Sequence, residues 1–370
     1  MNSQIRIAAA PSVGLRLREF RLLLPSVVTT TTLLGLLTWE TAHAAVGDVV
    51  HQPDMLDPLE QSTPALGRDG TLYVADTEGF VDAYSPQARH TSFKYLSGSI
   101  VSAPVLADDG TVFVGTTATQ TDNFFALDPQ SLEIRLRFKA TGAIRGSATI
   151  GQDRTVYIGT DQAQVYALHP ETLREKWTRE LRRFDDGTGV KLPVEAGMAL
   201  GQDGTLYVPT AAGDNSALVA LDAKTGRIQW RYLNVATINE APAIGPDGMI
   251  CYVDRNGFVV ALRPDGQRLW ETLLDWNATL TSPVIGAQGD IYVGSSTKQL
   301  YCLSRDGAKR WSFSTSGSRV AGAPAVGANG LLYLGAVKQF FCIRASDGGL
   351  VWQRTLDKGT RDIGNVILSP

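Results

Sequence analysis

Polar side chains suited to ligand binding recur at one position in this 370-residue sequence. The candidate ligand-binding set is Gln61, Arg145, Glu195, Asn239, Glu240 and Arg319. The first four stand at the same place in separate copies of an internal repeat, and the other two lie within two residues of it. If the copies surround an axis, these side chains converge and can bind a small polar ligand. The alternative is a polar network that only fills and solvates a channel.

Histidine and cysteine are too sparse for the common catalytic and metal-binding arrangements. The four histidines are scattered, so we predict neither a Ser-His-Asp triad nor a histidine metal site. Cys302 and Cys342 occupy equivalent repeat positions too far apart for a disulfide, and Cys251 replaces a tyrosine. The glycines lie in turns and form no phosphate-binding loop. We therefore predict no catalytic residue and no metal ligand.

The elements that must position the polar set are short β-strands. Between Glu240 and Trp270 the pairs Asp247-Gly248, Asn256-Gly257 and Asp265-Gly266 are preferred hairpin turns, and they separate four predicted strands. The first aligned residues of seven such units are Pro64, Pro104, Ala148, Met198, Pro242, Pro283 and Pro324. A period in the forties with four strands per unit is typical of a β-propeller. We predict an all-β, seven-bladed propeller of four-stranded blades, forming a single domain over residues 61–370.

The two ends of the chain bear on how the ring closes. Val366–Pro370 resembles Thr279–Pro283, the start of the sixth unit. It either fastens the last blade to the first, or forms the inner strand of an eighth blade with the lead-in at residues 45–60. Because that lead-in is too short for three strands, we favour seven blades.

Residues 1–44 have the pattern of an export signal. Four arginines precede an apolar stretch from Leu22 to Leu37, and Ala42-His43-Ala44 offers small residues for cleavage. The stretch is short for a membrane-spanning helix and contains Pro25. We therefore predict a soluble periplasmic or secreted protein without an integral membrane span after cleavage.

Two insertions are natural contact loops. Glu180–Val194 joins the third and fourth units, and Ala211–Ser216 lies within the fourth. Such loops lie on a rim of a propeller, where they either bind partners or remain solvated. The formal charge of −3 has no basic concentration, so nucleic acid is not predicted as a partner.

A motif in the fourth unit resembles the pyrroloquinoline-quinone-type propeller repeat. Ala220, Asp222, Thr225, Gly226 and Trp230 match its A-x-D-x-x-T-G-x-x-x-W pattern. Asp222 and Thr225 suit a turn, Gly226 suits a left-handed backbone, and Ala220 leaves room for an indole. The fourth strands carry Phe93, Leu136, Trp177, Trp230, Trp270, Trp311 and Trp352. The motif stabilises blades and does not itself indicate a substrate.

Two groups of relatives follow from that resemblance. Quinoprotein alcohol dehydrogenases would imply a bound quinone with Ca²⁺, covered by a disulfide between adjacent cysteines, a pair that this chain lacks. The outer-membrane assembly scaffold lipoprotein would imply a non-catalytic periplasmic scaffold. This chain has no cysteine near the predicted cleavage site for that lipid anchor.

The sequence therefore favours an exported, non-catalytic binding or scaffold module of the cell envelope. Its expected partner is a protein or a small polar ligand, bound through the rim loops or the axial mouth, and no cofactor is expected. The alternatives are a dehydrogenase dependent on pyrroloquinoline quinone and Ca²⁺, and a carbohydrate- or peptide-binding module.

Overall fold

The computed structural model describes residues 63–86, 89–184, 189–320, 322–337 and 339–355, together with the backbone of strands β1 (Val27–Thr29) and β30 (Val366–Leu368). The candidate residue Gln61 and the lead-in at 45–60 lie outside the described residues. Within the described ranges, no helix is both long and apolar enough to cross a membrane.

Seven antiparallel four-stranded sheets make up the described fold. Blade 1 contains β2 (Ala65–Leu66), β3 (Leu72–Ala75), β4 (Phe80–Tyr84) and β5 (His90–Tyr95). Blade 2 contains β6 (Val105–Leu106), β7 (Val112–Gly115), β8 (Phe124–Leu127) and β9 (Ile134–Phe138). Blade 3 contains β10 (Thr149–Ile150), β11 (Val156–Gly159), β12 (Gln164–Leu168) and β13 (Glu175–Glu180). Blade 4 contains β14 (Ala199–Leu200), β15 (Thr205–Pro209), β16 (Ala217–Asp222) and β17 (Ile228–Leu233).

The remaining blades repeat the same order. Blade 5 contains β18 (Ala243–Ile244), β19 (Ile250–Val253), β20 (Phe258–Leu262) and β21 (Arg268–Leu273). Blade 6 contains β22 (Val284–Ile285), β23 (Ile291–Ser295), β24 (Gln299–Leu303) and β25 (Lys309–Ser314). Blade 7 contains β26 (Ala325–Val326), β27 (Leu331–Ala336), β28 (Gln339–Arg344) and β29 (Leu350–Thr355). A short 3-10 helix (Gly213–Asn215) lies in the insertion of blade 4. The prediction of seven four-stranded blades is confirmed.

The two middle strands of each blade form the core. In blade 5 every residue of β19 is buried, because both faces of the sheet pack against neighbouring blades. In the sequence, such strands are continuous apolar runs and do not alternate between apolar and polar residues. The turns before them are fixed by side chains: Asp203 accepts hydrogen bonds from the N–H and the hydroxyl of Thr205 at 3.0 Å each.

Tryptophans of the outer strands connect consecutive blades. Trp230 Nε1 donates to the carbonyl of Pro264 in blade 5 at 2.8 Å, and its indole lies against Gly266. A Cβ at Gly266 would lie 2.7 Å from the Trp230 ring, and Gly266 has φ +85°. The same arrangement joins Trp177 to Gly226, Trp270 to Gly307 and Trp311 to Gly348. The glycine after each indole therefore serves both the turn and the contact with the preceding blade.

The turn motif of blade 4 is held by its own side chains. Asp222 Oδ1 accepts hydrogen bonds from the N–H and the hydroxyl of Thr225, at 2.8 and 2.7 Å. Ala220 lies directly opposite Trp230 across the sheet. The small side chain thus faces the base of the large one.

The predicted place of Phe93 in the repeat is wrong by one residue. Ser92 pairs with Ala83, as Trp230 pairs with Ala220, whereas Phe93 pairs with Asp82. Ser92 Oγ donates to the carbonyl of Gln130 in blade 2, replacing the indole hydrogen bond. Because adjacent residues of a strand point to opposite faces, Phe93 is turned outward and is 60% exposed.

The predicted tail strand exists, but it pairs with a segment that the sequence assigns to the export signal. β30 runs antiparallel to β1, with Ile367 opposite Val28. It also lies beside β26 and β27 of blade 7. Cleavage near Ala44 would remove β1, so this pairing belongs to the uncleaved chain only.

Candidate binding face at the interblade loops

One end of the propeller carries the connections from the outer strand of each blade to the inner strand of the next. We call this end the loop face. The turns between second and third strands lie on it too, because Asp161 N donates to Ala143 O at 3.0 Å and Arg255 N donates to Thr237 O at 3.1 Å. Every described member of the predicted axial set belongs to these connections.

The structure brings the backbone next to Arg145, Glu195 and Asn239 together but leaves these three side chains separate. Arg145 and Glu195 are exposed and Asn239 is half-buried. Arg145 Nε lies 3.8 Å from Asp161 Oδ2 of its own blade. Among the described residues, no hydrogen bond or ion pair joins these three side chains. A ligand cradle formed by all three stays a prediction.

Neighbouring blades nevertheless approach closely next to these axial residues. A Cβ placed on Gly146 would lie 2.3 Å from the carbonyl of Ala196, in the next blade. A Cβ on Gly197 would lie 3.5 Å from that of Ala241. Small residues are therefore required where blades 3, 4 and 5 meet near the axis.

Glu240 and Arg319 differ in their surroundings. Glu240 Oε2 accepts a hydrogen bond of 2.6 Å from the Ser282 hydroxyl, which links blade 5 to blade 6. Burial raises the pKa of Glu240, and hydrogen bonds from the Ser282 hydroxyl and N–H offset part of that rise. Arg319 is exposed, and its carbonyl accepts from Val337 N at 3.2 Å.

A row of exposed apolar side chains crosses the loop face of blades 3 to 6. Val235 and Trp276 are 72% and 65% exposed, in the loops after β17 and β21. Phe184, Val190, Leu233 and Leu273 are also exposed at this end. Sequence reasoning did not use this row, although Leu233 and Leu273 share a repeat position three residues after Trp230 and Trp270. The common signal of the row is an apolar residue at or beyond the end of an outer strand.

The loop that carries Trp276 is held in place by its neighbour Asp275. The Asp275 carboxylate accepts hydrogen bonds from Ser295 (2.7 Å), Thr297 (2.5 Å) and Tyr301 (2.9 Å) of blade 6. Burial acts to raise the pKa of Asp275, but these hydrogen bonds hold it below its usual value. The Trp276 ring contacts Phe258 edge-on, with centroids 6.4 Å apart. The exposed indole is thus presented on an ordered loop.

The long insertion is also fixed at its base. Arg182 and Lys191 form a β-bridge, and Glu180 makes ion pairs with both, at 3.0 and 3.1 Å. The hydrogen bond that Glu180 accepts from Lys191 is the largest cause of the lowered pKa of Glu180. Arg183 donates to Asn215, the last residue of the 3-10 helix, so the two predicted contact loops touch each other.

The residues present do not match a quinone and Ca²⁺ site. Ca²⁺ takes six to eight oxygen ligands, whereas the described residues contain no cluster of three or more His, Cys, Asp or Glu that could hold a metal. The three free cysteines are buried in different blades, and no two are adjacent in the sequence: Cys251 in blade 5, Cys302 in blade 6 and Cys342 in blade 7. No reaction step is assigned to that cofactor.

The sequence matches a known family over most of its length. The family model described as outer membrane protein assembly factor BamB matches residues 35–186, 183–262 and 305–363. The chain belongs to this family. A BamB protein of Burkholderia pseudomallei is 27% identical over 190 residues, which are 48% of this chain and 46% of that protein. The matched region thus spans about half the length of that relative.

Solved structures share the fold. The crystal structure of BamB from Moraxella catarrhalis superposes with a TM-score of 0.64 at 21% identity, covering 78% of this chain and 86% of that one. Quinohemoprotein alcohol dehydrogenase from Comamonas testosteroni gives 0.67 at 16% identity, covering 82% and 68%. At such identities the likeness concerns the propeller alone.

Proposed function

We propose that this chain is a non-catalytic scaffold of the cell envelope that binds a protein partner during outer membrane protein assembly. The observation that carries the proposal is the row of exposed apolar residues on the loop face, in a member of the BamB family. Several large apolar side chains exposed at the same end of a folded protein indicate an interaction site, and aromatic residues are enriched where partners bind.

The geometry of the row favours a folded partner over a small ligand. The exposed side chains span three consecutive interblade connections, from blade 3 to blade 6, and Trp276 stands on a loop held by four hydrogen bonds. A pre-ordered aromatic side chain loses little conformational freedom on binding. An enclosed pocket, which a small ligand needs, is not required for this mode.

Strand β21 provides a matched pair of variants for the test. Leu273 and Leu269 belong to the same strand and are 44% and 41% exposed, but only Leu273 lies at the loop face. Leu273→Ser combined with Trp276→Ser should weaken binding at least tenfold, because the apolar contact is lost. Leu269→Ser should leave binding unchanged.

The measurement is affinity for the purified outer membrane protein assembly complex of the source organism, with far-UV circular dichroism and melting temperature as folding controls. Equal affinity of the Leu273→Ser, Trp276→Ser double variant and the parent would refute the proposed face. Normal outer membrane protein levels in cells that lack the chain would refute the assembly role.

A further inference from the structure

We propose that Glu240 is the recognition group of a site near the propeller axis for a primary ammonium or guanidinium group, presented by a lysine or arginine side chain of a partner. The partner's identity rests on the function proposed above. The site itself does not, because it can be tested with small cations.

Glu240 is exceptional at its position in the repeat. The equivalent residues of the other six blades are Ser62, Ser102, Gly146, Ala196, Thr281 and Gly322. Ser102, Gly146, Ala196, Thr281 and Gly322 are all buried, whereas Glu240 is partly exposed. The five described equivalents are neutral and smaller than glutamate, so the blade contact does not require a carboxyl group.

The structure gives the Glu240 carboxyl group little compensation for its desolvation, although the residue as a whole keeps partial exposure. Its described hydrogen bonds come from the hydroxyl and N–H of Ser282, and no cation of the described residues contributes to its pKa. A desolvated carboxylate without a cation destabilises the folded protein. A residue that weakens the fold, at a place where neutral residues suffice, indicates a binding role.

The chemistry of the ligand follows from the hydrogen-bond donors that the Glu240 carboxylate still lacks. With Oε2 occupied by Ser282, the carboxylate still has lone pairs for further N–H donors, which an ammonium or a guanidinium group supplies. A divalent cation would need several more oxygen ligands than this position offers.

The surroundings favour a side chain with a slender stem. Gly146, Ala196, Gly197 and Ala241 occupy the neighbouring blade entries. Lysine and arginine can bury their methylene stems along such small apolar surfaces. The charged groups at the mouth are Arg145, Glu195 and Arg319, and Arg145 already faces Asp161. A partner seated on the apolar row would have to extend such a side chain from the ends of the outer strands towards the axis.

Calorimetric titration with n-butylammonium and with Nα-acetyl-lysine amide tests the site at pH 8. Both should bind, Nα,Nε-diacetyl-lysine amide should not, and Glu240→Gln should reduce affinity at least tenfold. Glu133→Gln, which alters an exposed carboxyl on blade 2, is the matched control. Absence of binding by both cations, or equal binding by the Glu240→Gln protein, overturns the site.

Binding should also release a proton near the pH at which Glu240 titrates, seen as a dependence of the heat on the buffer. Glu240→Gln should abolish that dependence, and its persistence in the variant contradicts a role for Glu240.

Affinity of the assembly complex for Glu240→Gln then identifies the source of the cation. A tenfold loss of that affinity supports a lysine or arginine side chain of the partner as the ligand. If the parent binds butylammonium normally but the assembly complex binds Glu240→Gln as tightly as the parent, a partner side chain is contradicted. The Leu273→Ser, Trp276→Ser protein should still bind butylammonium. A failure of the function proposed for the apolar row can therefore be distinguished from a failure of the proposed Glu240 site.

Discussion

At the scale of single residues, the loop face combines side chains that stabilise the fold with side chains that do not. Asp275 is held by three hydroxyl groups of blade 6, and its lowered pKa shows that the folded state favours its charged form. Glu240 is the opposite case, because burial favours its neutral form. Two carboxylates on adjacent connections therefore make opposite contributions to stability at neutral pH.

A pH series of unfolding should reveal the cost of Glu240. Its pKa is raised in the folded protein, so folded and unfolded chains are equally protonated well below pH 4.5, and stability falls as pH rises through the folded pKa. Glu240→Gln should match the parent at pH 4 and melt higher at pH 8, by roughly 2 °C for each kcal/mol recovered. Thermal unfolding monitored by circular dichroism provides the check. A melting difference that is constant from pH 4 to pH 8 would show that Glu240 is not desolvated.

At the scale of elements, the interface between blades depends on an indole and the glycine of the following blade. Trp230 buries part of its ring on Gly266 and satisfies its N–H on Pro264. In blades 1 and 2 the same place is taken by Ser92 and Leu136. The contact is thus strongest through the middle of the chain.

Changes on either side of this interface should destabilise the protein. Trp230→Ala should lower the free energy of unfolding by about 3 kcal/mol, the usual cost of emptying a large aromatic site, reduced by its partial exposure. Gly266→Ala should cost about 1–3 kcal/mol, because the backbone is left-handed and the added methyl group meets the ring. Gly213→Ala is the control, since a Cβ there has no neighbour within 4 Å although φ is also positive. Chemical denaturation measures all three, and equal losses for Gly266→Ala and Gly213→Ala would refute the role of the indole contact.

The propeller could be predicted from the sequence, whereas the row of exposed apolar side chains on the loop face could not. Turn pairs such as Asp247-Gly248 act locally, so their spacing reports the strands directly. Phe93 was misplaced because a one-residue register shift is decided by pairing with Ala83 and not by residue type. Trp276 carries no repeat signal, and its exposure depends on hydrogen bonds between Asp275 and a different blade. Convergence of Arg145, Glu195 and Asn239 depends on rotamers, which equal depth in the ring does not determine.

At the scale of the whole molecule, the described blades are joined in a series, and the tail strand lies at its last blade. β30 lies beside blade 7 and is paired with β1 in the uncleaved chain. An exported chain without residues 1–44 would present β30 without that partner.

Removal of the tail tests its part in holding the ring. A chain that starts at Ala45 and lacks residues 363–370 should melt several degrees below the chain that starts at Ala45 and keeps them, since an inner strand beside β26 is lost. Differential scanning calorimetry on both proteins measures the difference. Identical melting curves would show that the ring is held without β30.

The hydrogen bonds of the tryptophans give the chain a direction. Each indole of blades 3 to 6 donates to a carbonyl that lies later in the sequence, so its acceptor is made after it. During synthesis or export, each newly formed blade therefore ends in an unsatisfied indole until the following blade arrives. Within the described part of the chain, Trp352 has no such acceptor, and it faces only Tyr333 of its own blade. Folding that proceeds in the order of emergence would move tryptophan fluorescence to shorter wavelength blade by blade, with Trp352 the last to be shielded.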